Sequence, residues 1–230
     1  RNQAKIKDTL NITFMEQISE FRSCTNKIKE SVYYWVGLWV KNNLPDYFNS
    51  FEDSISQGQY DSKKWLIEEL SKINMHQFEP LHIDIIGSWF GFPLIEMVSS
   101  KFKIKQIDLF DLDENCHRVT AQYVNHFDYN FRIVQFDDAF KRKDWRRRHL
   151  VINTSSEHMP DMLNLKSHYK DYPITPLLVI QSNNYFELND HINCVNDEDE
   201  LVEKNQLKEV YFKGKQALPL YDRFMVIGRW

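Results

Sequence analysis

The stretch Ile83-Asp84-Ile85-Ile86-Gly87-Ser88-Trp89-Phe90-Gly91-Phe92-Pro93 decides the fold. It is an apolar run ending in a glycine-punctuated turn, the pattern by which a buried parallel strand opens onto a ligand. Two of the six glycines in the chain fall within this turn. Glycine costs backbone entropy wherever a positive φ or a close backbone approach is not required. A purely structural tight turn is the plainer reading, and a ligand cradle is the one the flanking residues favour.

Downstream, Gly87-x-Trp89-x-Gly91 leads into the helical run Leu94-Ile95-Glu96-Met97-Val98. Its backbone amides are therefore expected at a helix N-terminus, where they suit an anionic or polar ligand. A second apolar run, Ile107-Asp108-Leu109-Phe110, ends in Asp111-Leu112-Asp113. This lies roughly twenty residues on, where a doubly wound fold places a carboxylate that takes both hydroxyls of a ribose. Further short apolar runs cover 131–136, 149–153 and 176–181, with helical stretches between them. The third ends in Asp137-Asp138-Ala139 and the fourth in Asn153-Thr154-Ser155-Ser156-Glu157-His158. The fifth runs into Gln181-Ser182-Asn183-Asn184-Tyr185. Such alternation predicts βαβ units and a parallel sheet whose carboxyl edge carries the polar ends. The last segment differs: Glu209-Val210-Tyr211-Phe212, a turn at Lys213-Gly214-Lys215, and Arg223-Phe224-Met225-Val226-Ile227 leave no room for a crossover helix. They predict an antiparallel pair.

Upstream, apolar residues recur at helical spacing from about Asp8 to Ile73. They are Phe14, Ile18 and Phe21, then Val32, Trp35, Val36 and Trp39, then Trp65, Leu66 and Leu70, with breaks at 42–45 and 56–59. The chain thus divides into a helical N-terminal extension, 1–80, and an α/β domain, 81–230. With 230 residues, 42% of them hydrophobic, the chain is long enough for one sizeable core. A net charge of −4 gives no global attraction to nucleic acid or anionic membrane. Cys24, Cys116 and Cys194 show no CxxC pattern, which argues against a disulfide framework or zinc knuckle and suits a reducing, cytoplasmic compartment. The apolar window 32–40 is far shorter than the ~20 residues that span a bilayer, so it reads as helix core and no membrane partner is expected.

Taken in order, these residues resemble the class I S-adenosylmethionine-dependent methyltransferases, over roughly 80–230. The resemblance implies a doubly wound, mostly parallel seven-stranded Rossmann-like sheet with a C-terminal antiparallel hairpin, and S-adenosylmethionine as cofactor. It implies that Gly87, Ser88, Trp89 and Gly91 approach the methionine portion and ribose. Asp111, with Leu112 and Asp113 beside it, would hold the ribose, and Asp138 with Ala139 would approach adenine. Asn153 and Thr154 would face the methionine portion or the acceptor. Glu157 or His158 would take a proton from an acceptor that must lose one. Gln181, Asn183, Asn184 and Tyr185 would contact a small-molecule or RNA acceptor. The chain departs from the family at two points: Trp89 stands where the middle glycine is usual, and Asp84 stands one residue early for the strand-one acid. A methyltransferase-like module without catalysis is the alternative that Trp89 supports.

Plainer readings accompany several of these residues. Asp113 suits a helix cap ahead of Asn115, and Glu157 and His158 suit a surface loop. His191 and Cys194 have an i, i+3 spacing within reach of one metal, but two ligands without companions read as packing, and no metal is expected. The run Lys141-Arg142-Lys143-Asp144-Trp145-Arg146-Arg147-Arg148-His149 is the strongest local charge feature. It reads as a solvated face, with nucleic-acid contact through its six basic residues as the sharper alternative.

Overall fold

The computed structural model describes residues 27–141, 148–169 and 175–230. These pack as two compact units. One takes residues through Trp65 with Phe90–Met97 and Asn115–Asp128, and the other takes Leu66–Trp89, Val98–Glu114 and Tyr129–Trp230.

Elements of the first unit include α1 (Lys27–Asn43), α2 (Phe48–Ser54) and α3 (Gln57–Leu70), the last continuing beyond Trp65. The first break falls at Leu44-Pro45, as the sequence predicts, but the second is only Ile55-Ser56: Gln57, Gly58 and Gln59, expected in a turn, form the first turn of α3. Helix α1 buries Val32, Tyr33, Val36 and Val40, a stripe at helical spacing, and leaves Trp35 58% exposed. The helices predicted around Phe14, Ile18 and Phe21 lie outside the described residues. Glu96, on α4 (Leu94–Lys101), is buried and accepts hydrogen bonds from the Tyr33 hydroxyl at 2.8 Å and from the Tyr123 hydroxyl. Tyr123 lies on α5 (Glu114–Val124). Two phenols give this buried carboxylate the partners that burial demands. The Phe92 ring packs on both, with centroids 5.4 Å from Tyr33 and 4.7 Å from Tyr123.

The second unit holds the sheet. Strands β1 (Leu81–Ile86), β2 (Ile104–Phe110), β3 (Arg132–Phe136), β4 (Leu150–Asn153) and β5 (Leu177–Asn183) are followed by β6 (Glu209–Ala217) and β7 (Asp222–Arg229). Their order is β3-β2-β1-β4-β5-β7-β6. The first five pair in parallel, and β7 enters antiparallel between β5 and β6. Strand order reverses direction at β1 and β4, the switch point outside which doubly wound sheets bind ligands. Strands β4 and β5 are buried at every residue, as parallel strands covered on both faces must be. One core cluster collects Val151, Leu178, Ile180, Phe224 and Val226 with Leu201 of α7 (Glu198–Asn205) and with Tyr169, which ends α6 (Lys166–Tyr169). The acidic start of α7 is capped by Asp197, whose side chain accepts from the Glu200 amide.

The C-terminal hairpin is present, but its turn is not at Lys213-Gly214-Lys215. Those residues lie inside β6, with Gly214 opposite Met225 in the pairing with β7. The chain reverses at Leu218–Tyr221, where the Leu218 amide donates to the Tyr221 carbonyl at 2.9 Å. Gly214 serves instead as the floor for the Phe212 ring, for a Cβ there would stand 2.8 Å from Phe212 Cζ.

Candidate functional site

Within the second unit, the carboxyl ends of β1 to β5 carry the predicted site residues. The parallel ladder continues past β1, with the Ser88 amide donating to the Phe110 carbonyl at 2.9 Å. Gly87 then turns at φ 62° and Trp89 at φ 51°. The left-handed backbone at Trp89 points its amide at Asp111, and Asp111 Oδ2 accepts that hydrogen bond at 2.7 Å. Asp111 Oδ1 accepts from the Asp113 amide at 3.0 Å. The glycine turn and the strand-two acid are thus joined directly, and tryptophan keeps the conformation in which glycine is usual. Gly91 belongs to the first unit, where it has φ 77° and its carbonyl takes the Ile95 amide at the start of α4.

A Cβ on Gly87 would lie 2.4 Å from Met159 Cε, so the methyl tip of Met159 occupies the space this glycine leaves. Met159 Sδ in turn accepts from Asn153 Nδ2 at 3.0 Å, while Asn153 Oδ1 takes the Ser155 amide. Ser88 Oγ is buried without a hydrogen-bond partner. The β1 end therefore brings together a buried hydroxyl without a partner at Ser88, a close approach at Gly87 that the flexible thioether of Met159 fills, and a carboxylate at Asp111. These residues fit S-adenosylmethionine. Leu112 is 78% exposed beside them.

At the end of β3, Asp138 Oδ1 accepts from the Phe140 amide and Oδ2 pairs with Lys141 at 3.0 Å. Burial opposes the charge on Asp138, but the Lys141 and Phe140 bonds outweigh it and hold the carboxyl below its usual range. Ala139 is buried in the core cluster.

The β4 and β5 ends meet. Asn183 Nδ2 donates to Glu157 Oε1 at 2.7 Å, and Asn183 Oδ1 takes the Tyr185 amide and the Cys194 thiol. Asn183 is thereby committed to orienting its neighbours. Glu157 is 3% exposed, and its Oε2 is buried with no hydrogen-bond partner. Exposed His158 follows it, with Nδ1 3.2 Å from Asp190 Oδ2. His191 Nδ1 lies 2.8 Å from the Tyr185 carbonyl, to which it must donate. One donor atom from each of Glu157, His158 and His191 lies within 4.8 Å of the other two. Burial pushes the Cys194 thiol up, and the Glu157 charge adds to this. Gln181 is fully buried, with Nε2 3.4 Å from Met225 Sδ. Asn184 caps the Asp222 amide at 2.8 Å, and Tyr185 stacks on Tyr221 at 5.5 Å. The carbonyl of buried Thr154 lies 3.4 Å from Nη1 of Arg223, whose Nε is buried and unpartnered.

Sequence reasoning missed a buried cluster of charges. Asp84 and Asp108 stand opposite each other on β1 and β2, and Arg148 enters between them just before β4. Asp84 Oδ1 accepts from Arg148 Nε and Asp108 Oδ2 from Nη2, while the Tyr169 hydroxyl donates to Asp84 Oδ2 at 3.0 Å. All three charged groups are buried. Burial, with the Asp108 charge in support, pushes the Asp84 carboxyl up to about 6 against the pull of Arg148. Arg148 is only 2% exposed and cannot reach a phosphate, which corrects its inclusion in a nucleic-acid surface. Arg142, Lys143, Arg146 and Arg147 lie outside the described residues, and Lys141 is exposed beside Asp138. No helix among the described residues is long and apolar enough to cross a membrane.

No family model matches the chain, and no curated protein does. Solved structures do. MtNAS in complex with MTA and tNA superposes with a TM-score of 0.55 at 6% identity, over 96% of this chain and 77% of that one. A SAM-dependent methyltransferase from Aquifex aeolicus gives 0.53 at 17% identity, over 73% and 88%. Magnesium protoporphyrin IX methyltransferase from Synechocystis PCC 6803, with bound SAH, gives 0.52 at 13%, over 83% and 100%. The chain has the Rossmann-like fold of the class I S-adenosylmethionine-dependent methyltransferases.

Proposed function

We propose that this chain is a transferase that moves a methyl group from S-adenosylmethionine to a small-molecule or RNA acceptor. The observation that carries the reading is the hydrogen bond from the Trp89 amide to Asp111, which joins the β1 turn to the β2 acid beside the switch point of the sheet. Bound there, the cofactor supplies an activated methyl on a sulfonium, so the protein's part is largely alignment of the acceptor. Asp111 takes the ribose hydroxyls, the Gly87–Trp89 backbone and Ser88 Oγ face the ribose and methionine portion, and Asp138 and Ala139 line the adenine side. Met159, whose methyl fills the space over Gly87, would have to move aside for the cofactor to approach the backbone there. Asn153 and Thr154 stand beside the methionine portion. The acceptor lies against the β4 and β5 ends, with Asn184 and Tyr185 facing it, Asn183 holding Glu157 in place, and Glu157 or His158 receiving a proton. An RNA acceptor would find a further contact at exposed Lys141.

Calorimetric titration with S-adenosylmethionine, with NAD in parallel, tests the reading. Micromolar binding of the first alone is expected, and Asp111→Ala should weaken it. A folded chain that binds neither would overturn the reading in favour of an inactive binding module. A second reading draws on MtNAS, whose likeness extends over nearly the whole chain and whose structure holds MTA. Methylthioadenosine keeps the sulfur methyl, so its appearance as product would mark transfer of the aminocarboxypropyl group. S-adenosylhomocysteine marks methyl transfer.

A further inference from the structure

Glu157 presents an unusual problem in burial energetics. One carboxylate oxygen is bonded to Asn183, while the other is shut away from water with no donor in reach. A buried carboxylate oxygen left unmatched costs several kcal/mol by the usual order of magnitude. Among the described residues no group bonds to it, and two imidazoles stand beside it. His158 follows Glu157 in the loop after β4, and His191 comes from the separate loop after β5, so two chain segments converge on one point.

The tautomers are set by the partners. The Tyr185 carbonyl can only accept, so His191 Nδ1 carries the proton and Nε2 keeps the lone pair. The Asp190 carboxylate and carbonyl, 3.2 and 3.3 Å from His158 Nδ1, impose the same choice there. An imidazole whose Nδ1–H is held by a carbonyl or carboxylate is the arrangement that orients and enriches a metal-ligating Nε2. The rings are edge to face, with centroids 4.6 Å apart, which brings them to one locus without stacking them. Asn183 holds the carboxylate from the other side.

We propose that Glu157, His158 and His191 form a binding site for one divalent first-row transition ion. Two imidazole nitrogens and one carboxylate oxygen make a donor set of intermediate softness, suited to manganese or zinc and poorly suited to magnesium or calcium. One potential ligand atom of each residue lies within 4.8 Å of the other two, and an ion would draw the three side chains together to the spacing that bonds of about 2.1 Å require. Cys194, 3.6 Å from His191 Nδ1 on the side away from its lone pair, donates its thiol to Asn183 and stands outside the donor set. Three protein ligands leave coordination positions open. If the transferase reading holds, and this assignment of role rests on it, Glu157 and His158 act in the ion-bound chain as ligands in place of proton acceptors, and the open positions select an acceptor that offers oxygen ligands.

The test is titration of chelator-treated full chain with Mn2+ and Zn2+, followed by calorimetry and, for Mn2+, loss of the free-ion electron paramagnetic resonance signal. One equivalent is expected to bind at micromolar affinity. His158→Ala and His191→Ala should each weaken it by tenfold or more, while Cys194→Ser should not. His158 is exposed, so its removal leaves the fold intact, and circular dichroism checks His191→Ala. No binding by folded wild-type chain, or binding unchanged in both histidine variants, would overturn the site. S-adenosylmethionine affinity is measured separately on the same sample. Ion binding without cofactor binding would refute the transferase reading and uphold the metal site, and the reverse result would do the opposite.

Discussion

Asp111 Oδ2 lies 2.7 Å from the backbone nitrogen of Trp89, and this hydrogen bond fixes the turn after β1 to the end of β2. A left-handed backbone at a non-glycine residue costs about 1–2 kcal/mol, and the charge-assisted bond that the Trp89 amide donates to Asp111 offsets it by a similar amount. Asp111→Ala is therefore expected to do two things: release the Trp89 turn and remove the ribose partner. S-adenosylmethionine affinity should fall roughly 10- to 100-fold, the value of a hydrogen bond to a charged group, as read by calorimetry. Unchanged affinity would remove Asp111 from the site.

Gly87 and Met159 share one volume. Gly87→Ala places a methyl group at a positive φ and 2.4 Å from Met159 Cε, so destabilisation has a backbone part of about 1–2 kcal/mol and a steric part. Met159→Ala removes only the steric part. Urea denaturation of the two single variants and the double should show a coupling on the order of 1 kcal/mol. Strict additivity would mean that Met159 swings away at no cost.

The strands were legible because the apolar period changes abruptly after His82, and so was the place of Asp111 after the second strand, though not its bond to the Trp89 amide. Arg148 was not. In sequence it closes a basic run, and only the register that sets Asp84 opposite Asp108 reveals that two buried acids need a cation between them. His191 was paired with Cys194 by helical spacing, yet no helix forms there, and the loop carries it to Glu157 and His158 instead. Gly214 misled for a related reason. Glycine marks turns when its φ demands it, and here it marks a strand position covered by Phe212.

Asp84 makes stability depend on pH. Its folded value of about 6 lies above the ordinary 3.8, so between these pH values the folded chain holds a proton that the unfolded chain has released. Stability from this group is full below about pH 4 and is lost as pH rises through 6, a change on the order of 3 kcal/mol. Asp84→Asn keeps an acceptor for Arg148 and can donate to the Tyr169 hydroxyl. The variant should match or exceed wild-type melting temperature at pH 7.5 and lose the slope between pH 4 and 6.5. Persistence of that slope would assign it to another group.

Arg148 offers the sharpest separation of structural from nucleic-acid roles. Arg148→Met keeps most of the side-chain volume but leaves Asp84 and Asp108 facing each other without a cation. Removing one partner from a buried ionic cluster costs about 3–5 kcal/mol. Were the loss one of packing, neutralising the acids would not help. Were it one of charge, Asp84→Asn and Asp108→Asn added to Arg148→Met should restore much of the stability, because three neutral groups of similar shape no longer carry the desolvation penalty. Urea denaturation of the single and triple variants distinguishes the two. If the chain binds RNA through the exposed face at Lys141, the salt slope of that binding should be the same in the triple variant as in wild type. An arginine that neutralised a phosphate would, on removal, lower the slope by about one unit, and such a drop would place Arg148 on the RNA-binding face after all.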